Sequence, residues 1–217
     1  MKDVWDERAE AYRTSVTHAT DADLDLVVAF CEPSPGRTAL DVATGGGHVA
    51  RRLREVGVEV TTADASPGME PDVVCQAEKL PFADGDFDVV VTRIAPHHFT
   101  DVRAAVREMA RVTRDSVVIE DTLFISDDHE LAEKLRDPSH VRSYSEAEWL
   151  SFVEDAGLEV ERVEHFVKTH DTEDWLARTG CAGETAERVR TLLAPVASDD
   201  GATWQDTKLI LEARKVN

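Results

Sequence analysis

Three consecutive glycines, Gly45 to Gly47, lie directly after a predicted buried strand and before a predicted helix. A strand, a glycine turn and a helix N-terminus bring bare backbone N–H groups to the carboxyl edge of a parallel sheet, where open α/β sheets bind ligands. Gly45, Gly47 and Ala50 also fit the G-x-G-x-x-A spacing of dinucleotide-binding turns. The glycine run therefore predicts a site for a nucleotide-like cofactor.

Two aspartates, Asp41 and Asp64, narrow the choice of cofactor. Asp64 ends the second predicted strand about twenty residues after the glycines, where a carboxylate can accept both ribose hydroxyls of NAD or of S-adenosylmethionine. Asp41 lies inside the first strand, where an acid can organise the glycine loop and, through it, the ammonium of a methionine moiety. Because a pyrophosphate would gain nothing from this charge, the two aspartates favour S-adenosylmethionine.

Histidines are the candidate proton acceptors. His97 and His98 follow the fourth predicted strand, at the right edge to take a proton from an oxygen, nitrogen or carbon acid. His140 lies in RDPSHVR, after a helix that Pro138 ends, with Arg136 on the side from which we expect the acceptor to enter. The alternative is that these side chains cap or pack the end of the sheet. Adjacent histidines point in different directions and no third ligand is evident, so we predict no metal site.

Seven short apolar runs must position these side chains. They alternate with helical patterns through the first two thirds of the chain, which is typical of βα units around a parallel sheet. The class is therefore α/β. The predicted strands are 38–43, 58–64, 72–75, 87–94, 116–122, 158–167 and 207–213.

Two helices are predicted from their apolar faces. One is DVRAAVREMARV, and the other is SEAEWLSFVEDAGL, which begins with Ser145 as N-cap and ends at Gly157. Because no repeat or linker interrupts the chain, we predict one domain over residues 1–217. The segments 1–35 and 169–203, the second an insertion between the last two strands, are predicted to roof a cleft.

Five stretches of the chain resemble one protein family. They cover roughly residues 38–113 and read LDVATGGGH, TADASPGM, AEKLPF, FDVVVTRIAPHHF and VREMARV. Together they resemble the class I S-adenosylmethionine-dependent methyltransferases, in the branch related to the C-methyltransferases of ubiquinone and menaquinone biosynthesis. The opening WDERAEAYRTSVTH is similar to the N-terminal segment of this branch. The resemblance implies a Rossmann-like, mostly parallel seven-stranded sheet with helices on both faces and a C-terminal antiparallel hairpin.

The resemblance also implies a set of cofactor-binding residues. The methionine and ribose end would be framed by Asp41, Ala43, Gly45 and Gly47, and the ribose hydroxyls would be held by Asp64. The adenine would be contacted by Met69, Gln76, Ala77 and Glu78, and the reacting methyl would be bordered by Arg93 and Ile94. Tyr12, in the N-terminal segment, would close on the cofactor as part of a lid, unless this segment is a docked surface helix.

Three features depart from the family pattern. Ala43 stands where the first glycine is usual, and RDS at 114–116 replaces a Pro-Gly-Gly turn. Only ASPGMEP separates Asp64 from Asp72, which is too short for the helix that normally connects parallel neighbours. We therefore predict that the sheet edge near Asp72 is covered by the N-terminal segment or by a second copy of the chain.

The charge excludes some functions. The chain has 44 acidic and 24 basic residues, a net charge of -20, so a nucleic-acid substrate is disfavoured. The acidity also fits a salt-rich cytoplasm.

No run is long and apolar enough for a membrane helix and the start lacks a secretory segment, so we expect a cytoplasmic protein. Three widely spaced cysteines are expected to be reduced.

We therefore predict a methyltransferase that uses S-adenosylmethionine and a small-molecule acceptor. The motif Asn/Asp-Pro-Pro-aromatic, used by the family for planar amines, is not found after the fourth strand. One alternative is a cyclase-like or regulatory protein that binds S-adenosylmethionine without transferring the methyl group. The other, an NAD-dependent dehydrogenase, lacks a Tyr-x-x-x-Lys pair, since Val16 follows Tyr12 and Glu148 follows Tyr144 at that spacing.

Overall fold

A seven-stranded mixed sheet is the centre of the fold. The computed structural model describes residues 22–216. Within them the strand order is β3-β2-β1-β4-β5-β7-β6. All neighbours are parallel except β7, which runs antiparallel to both β5 and β6. The strands are β1 Thr38–Val42, β2 Glu59–Asp64, β3 Val73–Val74, β4 Phe87–Arg93, β5 Thr113–Thr122, β6 Leu158–Asp171 and β7 Thr203–Lys215. The predicted α/β sheet with a C-terminal antiparallel hairpin is confirmed.

Helices cover both faces of this sheet. They are α1 Ala22–Phe30, α2 His48–Glu55, α3 Val102–Val112, α4 Asp127–Arg136, α5 Glu146–Asp155, α6 Thr172–Ala177 and α7 Gly183–Leu193. Leu40 and Val42 of β1 pack toward α3 and α5. Ala39, which points the opposite way, packs toward α1 and α2. The two apolar layers hold the carboxyl ends of β1, β2 and β4 at one edge.

The two predicted helices form as their sequences suggest. The N-cap of α3 is Asp101, whose side chain accepts a hydrogen bond from the backbone N–H of Ala104. The N-cap of α5 is Ser145, and a capping box joins it to Glu148. Gly157, with φ of +79°, lies just beyond the end of α5.

The C-terminal hairpin extends further than predicted. Strands β6 and β7 continue to Asp171 and back from Thr203, so the segment between them is 172–202. This segment packs on α4 around a small apolar cluster that includes Trp175 and Trp204. Charged residues near the strand ends, such as Lys168, are more typical of a loop than of a strand. In the structure they are buried and form ion pairs.

The β2–β3 connection is short, as predicted. Residues 65–72 contain a single 3-10 turn, Pro67–Met69, in place of a crossover helix. Asp72 holds the connection, because its carboxylate accepts from the N–H and hydroxyl of Thr62 at 2.9 and 2.8 Å. The edge strand β3 has two residues, and Val74 is 55% exposed among residues 22–216. Residues 1–21 of the N-terminal segment lie outside the described residues, so the covering of this edge stays a prediction.

Candidate active site

A pocket of about 250 Å³ opens at the carboxyl ends of β1, β2 and β4. Of the predicted cofactor residues, Gly47 lies beside it as the N-cap of α2, and Tyr12 falls outside the described residues. The others line it: Asp41, Ala43, Gly45, Asp64, Met69, Gln76, Ala77, Glu78, Arg93 and Ile94. Lining residues that sequence reasoning did not single out include Thr44, His48, Cys75, Phe99 and Thr100.

The first wall of the pocket is the loop between β1 and α2. Gly45 has φ of +50°, a conformation that favours glycine, and a Cβ built on it would meet no atom within 4 Å. The loop therefore leaves an open space above its backbone. Ala43 and Ile94, at the ends of β1 and β4, also have positive φ, at +54° and +51°. For a β-branched residue such as Ile94 this is strained, and strain of this kind concentrates at functional sites.

Asp41 organises the glycine loop from beneath. Its carboxylate is 2% exposed and accepts from the hydroxyl of Thr44 at 2.7 Å and from the N–H of Ala50 at 3.2 Å. Burial raises the pKa of Asp41 to about 6, although these two hydrogen bonds act against it. A buried carboxylate of this kind gains stability from a cation in the pocket.

Asp64 joins the first and second loops of the pocket. One carboxylate oxygen accepts from the N–H of Gly45 at 2.9 Å, and the other accepts from the N–H of Ser66 at 2.9 Å. An ionised carboxylate only accepts hydrogen bonds, which is the chemistry that ribose hydroxyls require. The side chain lies at the end of β2, where the sequence predicted an acceptor for ribose hydroxyls.

Arg93 borders the pocket but its guanidinium is held by two carboxyl groups behind it. It donates to Asp23 of α1 and to Glu120 of β5, each at 2.8 Å, and both acids are fully buried. Burial would raise the pKa of Asp23, but Arg93, Glu120 and Lys168 lower it to about 2. Burial raises the pKa of Glu120 to about 8; the charge of Asp23 also raises it, whereas the charge of Arg93 lowers it. The carboxyl pair therefore shares one proton near neutral pH.

The three predicted catalytic histidines lie together, but only His98 lines the pocket. The ring centroids of His97 and His98 are 4.1 Å apart, and His140 lies 5.4 and 6.3 Å from them. His97 Nδ1 is 2.5 Å from the buried carboxylate of Asp121. His140 Nε2 is 3.3 Å from both carboxylate oxygens of Glu130. Sequence reasoning missed both acids, although Asp121 ends β5 at the same sheet edge.

Arg136, predicted on the side from which the acceptor enters, is held by neighbouring side chains, and its contact with the acceptor stays a prediction. Its guanidinium lies 3.9 Å from the ring centroid of Trp175 and bonds to Glu133 at 3.0 Å. Neither Arg136 nor any residue of 172–202 lines the pocket. Among residues 22–216, no group of three histidine, cysteine or acidic side chains has the arrangement of a metal site.

Comparison with known proteins assigns the family. A model of the methyltransferase domain matches residues 40–119. The uncharacterized methyltransferase YcgJ of Bacillus subtilis (strain 168) is 31% identical over an alignment of 214 residues, and the match covers 86% of this chain and 83% of YcgJ. The chain belongs to the class I S-adenosylmethionine-dependent methyltransferases.

Solved structures and a functionally named relative agree with this family. The methyltransferase chain superposes on BH2331 of Bacillus halodurans C-125 with a TM-score of 0.81 and 28% identity, covering 91% of this chain and 100% of BH2331. For the crystal structure of YcgJ the TM-score is 0.80 at 26% identity, with 89% and 98% covered. The ubiquinone/menaquinone biosynthesis C-methyltransferase UbiE of Stenotrophomonas maltophilia (strain R551-3) is 37% identical over 106 residues, 40% of this chain and 42% of UbiE. The resemblance to this branch is confirmed.

The pocket of this methyltransferase fits the cofactor of its family. Methyltransferases of this fold generally use S-adenosylmethionine. The space above Gly45, the buried carboxylate of Asp41 and the carboxylate of Asp64 at the end of β2 suit a ligand with a cationic amino acid and a ribose. In the part of the chain that the structure describes, no helix is long and apolar enough to cross a membrane.

Proposed function

We propose that this methyltransferase transfers the methyl group of S-adenosylmethionine to a small-molecule acceptor. The observation that carries the proposal is the pocket in which Asp41, Gly45 and Asp64 converge at the carboxyl edge of the sheet. The bound cofactor would supply an electrophilic methyl group on a sulfonium. The chain would hold its ammonium near Asp41 and its ribose at Asp64.

The remaining predicted residues complete this cofactor site. Met69 would pack on the adenine, with the backbone from Gln76 to Glu78 along its edge. Ile94, which follows β4 with a positive φ and lines the pocket, would border the reacting methyl together with Arg93. Alignment of a nucleophile with the methyl carbon and exclusion of water supply much of the rate of a displacement. His98 at the same wall would receive the acceptor's proton.

The net charge of the chain supports the proposal of a small-molecule acceptor. The net charge of -20 opposes binding of nucleic acids. We propose the cytoplasm as the place of action, because the cysteines of the described residues, Cys31, Cys75 and Cys181, are free.

Calorimetry and a transfer assay test the function together. S-adenosylmethionine and S-adenosylhomocysteine should bind, and NAD should not. Methyl-labelled S-adenosylmethionine incubated with a small-molecule extract should then yield a labelled product. Binding of NAD alone would refute the cofactor assignment. Cofactor binding without a labelled product would favour the alternative of a protein that binds S-adenosylmethionine for another purpose.

Binding of the cofactor should weaken in acid. A cationic amino group stabilises ionised Asp41, and burial raises the pKa of Asp41 to about 6 in the free protein. The affinity for the cofactor should therefore be highest at pH values above the pKa of Asp41. Below that pKa it should fall by about tenfold per pH unit, because a proton competes with the ammonium for the carboxylate. Titration calorimetry of S-adenosylhomocysteine at pH values from about 5 to about 8 brackets the transition and measures the change in affinity. Adenosine, which lacks the ammonium, is the control and should bind equally across the range.

We propose that two copies of the chain associate through the β3 edge. The edge strand has two residues, no crossover helix follows β2, and Val74 is 55% exposed. Each copy has a net charge of -20, so added salt should strengthen the association. Light scattering at low and high salt should show the mass rising above 24.0 kDa. A monomer at every salt concentration would refute the dimer.

A further inference from the structure

We infer that the carboxyl pair of Asp23 and Glu120 releases its shared proton when S-adenosylmethionine binds, and that the pair thereby distinguishes the sulfonium of the cofactor from the neutral thioether of S-adenosylhomocysteine. The inference rests on the proposed methyl transfer, because that proposal places the reacting methyl beside Arg93 and Ile94. It gives two acids that do not line the pocket a part in selecting the substrate over the product.

The two acids are arranged around one guanidinium. Asp23 Oδ2 and Glu120 Oε2 each accept a hydrogen bond from Arg93 at 2.8 Å, and both acidic side chains are 0% exposed. The other two oxygens, Asp23 Oδ1 and Glu120 Oε1, have no hydrogen-bond donor among residues 22–216. The single charge of Arg93 therefore balances only one of two buried carboxylates.

A proton held by the pair removes the second negative charge. The carboxyl groups of Asp23 and Glu120 are hydrogen-bonded to each other as well as to Arg93. Because an ionised carboxylate can only accept a hydrogen bond, one member of the pair must carry a proton. Burial raises the pKa of Glu120 to about 8, which places this proton on Glu120 near neutral pH.

The charged groups that face the pair come from three other strands. Arg93 of β4 contacts both acids. Lys168 of β6 lies 3.5 Å from Asp23 Oδ2 and helps to lower the pKa of Asp23, although burial acts against it. Lys208 of β7 opposes the effect of burial on the pKa of Glu120 without restoring its usual value. The pair therefore keeps one proton in the presence of these cations.

The carboxyl pair lies directly behind the wall of the cofactor pocket. Arg93 and Ile94 line the pocket, and the backbone N–H of Ile94 donates to the carbonyl oxygen of Glu120 at 2.8 Å. Asp23 reaches the same place from the first turn of α1. Because the pair is fully buried, a charge beside Arg93 acts on it with little screening by water.

A sulfonium and a thioether affect this proton differently. With the proton bound, Arg93 and the two acids together have no net charge, and without it they carry one negative charge. A sulfonium stabilises the ionised pair and lowers the pKa of Glu120, whereas a thioether leaves that pKa raised. Binding of S-adenosylmethionine therefore releases a fraction of a proton to the solvent. Methyl transfer leaves the thioether, so the proton returns and the product loses this attraction.

The sign of the pH dependence follows from the charge of the pair. S-adenosylmethionine prefers the ionised pair, so its affinity relative to S-adenosylhomocysteine is lowest when Glu120 is protonated. The relative affinity should rise as the pH approaches about 8, where Glu120 ionises without help from the ligand. Both ligands carry the ammonium, so the titration of Asp41 cancels in the ratio of the two dissociation constants.

Titration calorimetry of both ligands at pH values from about 6 to about 9 tests the inference. In the wild type, the Kd of S-adenosylhomocysteine divided by that of S-adenosylmethionine should rise by at least about threefold over this range. Repeating the titrations in buffers of different ionisation enthalpy should show that S-adenosylmethionine releases more protons. In infrared difference spectra, the C=O band of a protonated carboxyl should weaken when S-adenosylmethionine replaces S-adenosylhomocysteine.

Glu120→Gln has the charge of the protonated glutamate at every pH. Its ratio of dissociation constants should stay constant, and the carboxyl band that changes in the wild type should be missing. If this variant does not fold, Asp23→Asn removes the neighbouring negative charge. Glu120 should then ionise at lower pH, and the rise in the ratio should move to lower pH with it.

Glu212→Gln is the matched control. Glu212 is also 0% exposed, but it lies on β7 and is paired with Arg162 and Arg214. This variant should keep the wild-type rise. A ratio that does not change with pH in the wild type, or the same rise in Glu120→Gln, would overturn the inference. If neither ligand binds the wild type, the proposed function itself fails, whereas binding of both at a constant ratio contradicts this inference alone.

Discussion

Arg93→Ala should lower the free energy of unfolding by about 3 kcal/mol and the Tm by roughly 6–12 °C. The change leaves Asp23 and Glu120 buried at 0% exposure without their shared partner, and the nearest remaining cation to Asp23 is Lys168 at 3.5 Å. Urea and thermal unfolding measure the loss. Arg107→Ala, on the exposed face of α3, is the control and should change stability by no more than about 0.5 kcal/mol. Equal effects of the two variants would mean that the buried pair contributes nothing.

The protonation of Glu120 gives a second test of the same cluster. Burial raises its pKa from 4.5 to about 8, so the folded chain holds a proton there that the unfolded chain releases. The stability that Glu120 contributes is therefore full below pH 4.5 and is lost as the pH rises through about 8. Glu120→Gln stays neutral, and its stability relative to the wild type should increase steadily over that range. A difference that does not change with pH would show that Glu120 is ionised throughout.

The sequence predicted most of the sheet because its strands are local patterns. The runs around β1, β4 and β5 are largely apolar, as buried parallel strands are, and the capping box of α5 is visible in the letters SEAE. The hairpin ends were missed because Lys168 and Asp206 are charged. They are buried only because strand pairing places them opposite each other. No local pattern reveals a pairing of residues so far apart in the chain.

The same distinction applies to the site. Asp41, Gly45 and Asp64 were found because a strand end and a glycine turn identify them within a few residues. Asp23 was not found, because its partner Arg93 is 70 residues away and its own surroundings resemble an ordinary helix start. The fold therefore contributes what the motif does not contain: the carboxyl groups that fix Arg93.

Asp64→Ala should weaken S-adenosylhomocysteine binding by roughly tenfold or more. The carboxylate would accept both ribose hydroxyls, each hydrogen bond contributing about 0.5–1.5 kcal/mol, and about 1.4 kcal/mol corresponds to a tenfold change in Kd. Alanine also removes the acceptor that joins the N–H groups of Gly45 and Ser66, so the loop itself loses a support. Titration calorimetry measures the affinity, and an unchanged Kd would remove Asp64 from the site.

Two comparisons separate ribose recognition from loop collapse. Asp72→Ala removes a nearby aspartate that also holds backbone, through Thr62, but does not line the pocket, so its effect on affinity should be small. Adenine has no ribose, so Asp64→Ala should weaken adenosine much more than adenine if the hydroxyls are the cause. If adenine and adenosine lose affinity equally, Asp64 acts by shaping the loop around Gly45, and the ribose must be held by other groups of the pocket wall.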